Sequence, residues 1–104
     1  MTRPTRTRMH PADRKAEILT AALEAARTAG YRSVSREAIA TRAGCSPALV
    51  SSYYGTMKRL RRAIMSAAIV RGDLSILAQG LAAGDAKARS APEGLKQAAL
   101  RGLL

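Results

Sequence analysis

The residues of this 104-residue chain best placed to do chemistry are its cations. Arg3, Arg6 and Arg8 alternate with Thr and Pro in MTRPTRTRMHP, and Lys58, Arg59, Arg61 and Arg62 crowd a second window without one acidic neighbour. Lys and Arg number 18 against 7 Asp and Glu, a formal net charge of +11. The excess is uneven. It falls in residues 1–15 and 55–71, while 16–54 and 72–104 each carry a net +1. Solvated helix faces ordinarily mix signs, so one-signed windows of this kind point to a polyanion, and nucleic acid is the expected partner.

Other chemistries find little material. His10 is the only histidine and has no carboxylate or cysteine at ligand or triad spacing; it reads as a solvated arm residue. Cys45 is the only cysteine, so neither an internal disulfide nor a cysteine zinc site can form, and it reads as a small buried apolar residue in a reducing cytoplasm. Glu17, Glu24 and Glu37 read as ion-pairing positions near Arg14, Arg27 and Arg36 rather than as catalytic acids. No glycine-rich phosphate loop is present, and Gly80, Gly84, Gly94 and Gly102 read as breaks and weak helix positions. The expectation is therefore no enzyme, no metal and no cofactor. The most apolar stretch, AIMSAAIV from Ala63 to Val70, is bounded by arginines and far too short to cross a bilayer, so no membrane partner is expected.

The elements that position the cations are helices. Without Trp or Phe, and with Ala, Leu, Ile and Met abundant, the composition favours an all-α chain with one modest aliphatic core. From Pro11 to Ala29, Ile18, Leu19, Ala22, Leu23 and Ala26 follow helical spacing, and Gly30 supplies the stop. Ser35 is placed to cap a second, short helix ending near Ala43, with Ala38, Ile39 and Ala43 turned inward. Gly44 ends it, Ser46 caps the next, and Pro47 occupies a first position where the missing N–H costs nothing. Stop, cap and restart within four residues make a tight turn between two short helices, a helix-turn-helix. In that arrangement one helix crosses the nucleic-acid backbone while the next offers its N-terminal side chains to the major groove.

ILTAALEAARTAGY, IATRAGCSPALVSSYY and YGTMKRL, in this order and at these separations, resemble the DNA-binding head of the tetracycline-repressor (TetR) family over about residues 14 to 65. The resemblance implies a three-helix head on a longer, linking fourth helix. It makes Ser46 to Tyr53 the recognition helix, with Pro47, Ala48, Leu49, Ser51 and Ser52 facing the groove, Val50 in the core, and Tyr53 and Tyr54 at the helix end for phosphate contact and packing. Family members often carry Lys where this chain has Pro47, Thr at Leu49, and Tyr and His at Ser51 and Ser52. The surface here is smaller and more apolar, so base reading would rest on serine hydroxyls and on methyl contacts, a less directional set than bidentate Arg or Asn. Affinity would shift toward phosphate contacts from Ser33, Ser35, Arg36, Thr41, Arg42, Thr56 and Lys58, which fix register. Arg3, Arg6 and Arg8 either enter a neighbouring minor groove or act through general charge.

The organisation expected is a flexible basic arm (1–11), a helix-turn-helix domain with its linking helix (12–71), and a short helical dimerisation segment (72–104). Family members normally continue into a much larger effector domain. Here one or two short helices are expected, one with Leu74, Ile76, Leu77 and Leu81, the other beginning near Ser90 and Pro92 with Leu95, Ala98, Ala99, Leu100 and Leu103. Helices this short cannot enclose a pocket of roughly 300 Å³ and also pack a core, so no small-molecule effector is expected. Their leucines would bury against their own head or against a second copy, and a homodimer is the favoured assembly because one short recognition helix seldom gives specific affinity alone. The functional expectation is a repressor on double-stranded DNA, against two alternatives: a sequence-tolerant architectural DNA binder, and an interaction protein of antirepressor type that binds a protein partner.

Overall fold

A computed structural model describes residues 10–102 and contains, among them, seven helices and no strand. Helix α1 spans Pro11–Ala29, α2 Arg36–Ala43, α3 Pro47–Tyr54, α4 Met57–Arg71, α5 Leu74–Ala82, α6 Ala86–Arg89 and α7 Glu93–Arg101. The all-α reading and the four-helix order of the head are found as expected. Arg3, Arg6 and Arg8 lie outside the described residues, as does Leu103.

Local chemistry sets the boundaries. Side-chain oxygens of Ser35, Ser46 and Thr56 accept from the backbone N–H of Ala38, Leu49 and Arg59 at 3.1, 3.1 and 3.2 Å, each satisfying a donor that the first turn of a helix leaves open. Gly44 closes α2 in the left-handed conformation (φ 70°), where a Cβ would be strained. Pro47 sits in the first turn of α3. His10 is more than a solvated arm residue: its Nδ1 accepts the Ala12 N–H at 3.4 Å and caps α1.

One aliphatic core runs through head and tail. Ile18, Leu23, Ile39, Val50, Leu60, Ile64, Met65, Ile76 and Leu77 are its fully buried large side chains, each contributing about 1.5–3 kcal/mol by leaving water. Within α2 the buried residues are Ile39, Ala40 and Ala43; Ala38 faces solvent, because the inward stripe continues from Ile39 to its neighbour at one helical turn. Cys45 is half-buried at the core's edge rather than inside it. The tail contains a third short helix, α6, which the sequence reading did not contain; Asp85 caps it by accepting the Ala88 N–H at 2.9 Å.

The tail divides its aliphatics. Ile76, Leu77 and Ala99 are buried in the chain's own core, Leu81 and Leu95 pack partly against it, and Leu74 and Leu100 remain 38% and 47% exposed. Gly80 is a close approach and not a weak helix position: a Cβ there would meet the Ala88 Cβ at 2.9 Å and collide with Met65. Its absence lets α5 lie directly against α4 and α6.

Three polar links join tail to head. The Arg27 guanidinium meets Asp73 at 2.7 Å, and Asp73 also caps α5 through the Ile76 N–H. The Tyr31 backbone N–H donates to the Gln79 side chain, and the Tyr31 hydroxyl donates to Asp85 at 2.6 Å. Burial, then the hydrogen bond to Asp85, push the Tyr31 phenol well above its ordinary pKa.

Candidate nucleic-acid interface

Between Gly30 and Lys58 the chain brings most of the expected site residues together on three consecutive short elements. Helix α2 packs on α1, α3 on α2, and α4 on both α1 and α3. Val50 anchors α3 from below and is fully buried. That anchor leaves Ser46, Pro47, Ala48 and Ser52 exposed, with Leu49 and Ser51 half-buried on the flanks. The exposed face of α3 is small, uncharged and rich in hydroxyl and methyl groups.

Both turns bounding α3 are fixed by backbone bonds. The Cys45 N–H donates to the Ala40 carbonyl at 3.0 Å, and the Gly55 N–H donates to the Ser51 carbonyl at 2.7 Å. Arg36 reaches across from α2 to the Gly55 carbonyl at 3.3 Å while its Nε is buried without a hydrogen-bond partner. Its guanidinium therefore braces the turn between α3 and α4 with one of its donors, and no described ion pair joins it to Glu37. Glu24 meets Arg42 at 4.0 Å, and Arg27 goes to Asp73; of the three expected acid–base neighbours, Arg14 and Glu17 pair as read, at 2.8 Å.

The remaining candidates differ in how free they are. Ser33, Thr41, Arg42, Thr56 and Lys58 are exposed, and Ser35 is half-buried. The Thr41 hydroxyl donates to the Glu37 carbonyl at 2.9 Å, and Arg42 also reaches the Thr28 hydroxyl. Capping occupies the hydroxyl oxygens of Ser35, Ser46 and Thr56 as acceptors, leaving their O–H free to donate to a phosphate or a base edge. Tyr53 is half-buried against the core. Tyr54 donates its hydroxyl to the Lys15 carbonyl at 2.8 Å, with the Lys15 ammonium 5.4 Å from its ring centre, so it ties α3 to α1. Burial raises the Tyr54 phenol pKa.

Beyond this set lie cations that site reading by motif passed over. Arg32 precedes Ser33 in the loop between α1 and α2, Arg61 and Arg62 follow Lys58 by one turn of α4, and Lys87 lies on α6. The one-signed run was visible as a signal for the α4 residues; nothing local marks Lys87. Among the described residues no cluster of His, Cys, Asp and Glu is arranged to hold a metal ion, and no helix is long and apolar enough to cross a membrane.

Two capped helices at a glycine turn, the second presenting its first turn outward between cation-bearing neighbours, define a helix-turn-helix DNA-binding module. Residues 18–64 match the family model described as bacterial regulatory proteins, tetR family. The matched segment is the N-terminal helix-turn-helix DNA-binding domain of that family, which supports a DNA-binding transcriptional regulator. The match ends within α4, so α5 to α7 lie outside it. Among curated proteins and among solved structures no match was found.

Proposed function

We propose that the protein is a cytoplasmic, dimeric repressor that occupies an inverted-repeat operator and excludes polymerase. The observation that carries this reading is α3 itself, held by Val50 and its two turns so that Pro47, Ala48 and Ser52 stand clear of the core. In the groove, Ser51 and Ser52 would donate or accept at base edges while Leu49 and Ala48 meet thymine methyls. Ser33, Ser35, Thr41, Arg42, Thr56 and Lys58 would take flanking phosphates, and Arg3, Arg6 and Arg8 would reach the neighbouring minor groove. Ser46 and Tyr53 frame the two ends of the reading helix.

A second copy would supply the second half-site. Val70 is 86% exposed and, with Leu74 and Leu100, is a large hydrophobic that the described core leaves uncovered. Pairing through the end of α4 and the tail would set two recognition helices roughly 34–36 Å apart, one DNA turn. The buried tail aliphatics fill the interior of α5 to α7, so operator occupancy in this reading needs no inducer enclosed among those helices.

The uncharged face of α3 also favours a sequence-tolerant architectural binder, and one experiment separates the two. Duplexes are selected from a random pool at roughly 150 mM salt, where screening weakens nonspecific attraction. An enriched inverted repeat supports the dimeric repressor. Retention without enrichment supports the architectural binder, and no retention sends the search to a protein partner.

A further inference from the structure

We infer that the cleft between α4 and the α5–α6 turn binds a small polyphosphate anion. The cleft measures about 510 Å³, within the size range of small-ligand sites. Lys58, Arg61 and Arg62 line it from α4 and Lys87 from α6, together with Tyr31 and Asp85. A smaller depression of about 290 Å³ shares Tyr31, Arg61 and Asp85 and adds Arg32.

The charge balance of this cleft is one-sided. Its single carboxylate, Asp85, already accepts the Tyr31 hydroxyl at 2.6 Å and the Ala88 N–H at 2.9 Å. The described ion pairs engage Arg14, Arg27, Arg42 and Lys96, and none involves Arg32, Lys58, Arg61, Arg62 or Lys87. Lys58, Arg61 and Arg62 are spaced i, i+3 and i+4, so they share a face of α4 and repel one another. A ligand with one carboxylate would leave most of this charge uncompensated. Two or more phosphoryl groups would not, and arginine forks bind phosphate oxygens in pairs.

The cations line one concavity from two elements, Lys58, Arg61 and Arg62 from α4 and Lys87 from α6, so a small anion in it can be contacted from both sides. Lys58 belongs both to this cleft and to the proposed duplex surface. On the repressor reading, an anion in the cleft withdraws Lys58 from the duplex and weakens operator binding, which would make the cleft an effector site.

The test is calorimetric titration of the full chain with inorganic triphosphate at roughly 150 mM salt, which suppresses diffuse attraction. Wild-type protein should show one saturable site. Arg62→Gln on α4 and Lys87→Gln on α6 should each weaken it by about tenfold, the scale of a lost charge-assisted bond, while Arg101→Gln on α7 leaves it unchanged. Thermal unfolding of each variant confirms that the fold is intact; Arg62 is exposed, and its replacement removes no described hydrogen bond or ion pair. Equal weakening by all three variants, or no saturable binding to wild-type protein, overturns the site. Competition against labelled duplex is read separately: triphosphate should release the duplex from wild-type protein and less so from Lys87→Gln. A protein that binds triphosphate but no duplex refutes the repressor reading and leaves the cleft standing. Duplex binding that falls in both cleft variants without triphosphate binding assigns the cations to DNA and overturns the inference.

Discussion

Helices α3 and α4 follow one another across a single turn at Gly55, yet they are built for different work. α3 carries no charge along Pro47–Tyr54, and its outward residues are serines, alanine and proline. α4 places Lys58, Arg59, Arg61 and Arg62 in its first turns over a buried edge of Leu60, Ile64, Met65 and Ala68. A surface without charge cannot supply strong attraction to DNA, and a row of cations cannot tell one base pair from another. On the proposed reading the two demands fall to neighbouring helices, α3 to read and α4 to hold. Such a division predicts modest specificity and an affinity sensitive to salt.

Loss of the buried platform beneath α4 should have the largest effect. Leu60 is fully buried beneath α4, and Leu60→Ala should cost about 2–5 kcal/mol of stability by chemical denaturation, lowering specific and random DNA binding together. Next comes the link behind α4. Tyr31→Phe leaves Asp85 without its phenol donor and should cost about 1.5–3 kcal/mol near neutral pH. The sign with pH follows from the raised phenol pKa. The folded state holds that proton more tightly than the unfolded chain, so the stabilisation is complete below the ordinary value of 10.0 and is lost as pH rises beyond it. Thermal unfolding across that range should show a downward slope that is shallower in Tyr31→Phe.

Two smaller effects sharpen the division itself. Leu49→Ala or Ser52→Ala should change discrimination between a selected site and its variants by about 1–2 kcal/mol while leaving random-duplex affinity nearly unchanged. Lys58→Ala should weaken all duplexes alike and lower the slope of log affinity against log salt by about 1. Competition binding at several salt concentrations measures both.

Much of the head was legible because its boundaries are written in local chemistry. Ser35, Gly44, Ser46 and Pro47 act within their own turns, and each is found where its type places it. The tail was less legible because its order rests on partners far along the chain: Gln79 on Tyr31, Asp85 on the same residue, and Met65 and Ala88 against Gly80. One-turn α6 has too few residues for a periodicity to register. In the site, the row of candidates could be named from the motif, but not that Arg36 would be spent on the Gly55 carbonyl or that Tyr54 would turn to Lys15. Lys87 entered the basic cleft only through the packing of α6.

The division of labour between α3 and α4 is tested most directly by repeating selection from a random duplex pool with Ser52→Ala and with Lys58→Ala. Ser52→Ala should enrich an altered repeat at near wild-type retention, and Lys58→Ala should enrich the wild-type repeat at reduced retention. If both variants enriched the same repeat with the same loss of retention, α3 would not be the helix that reads.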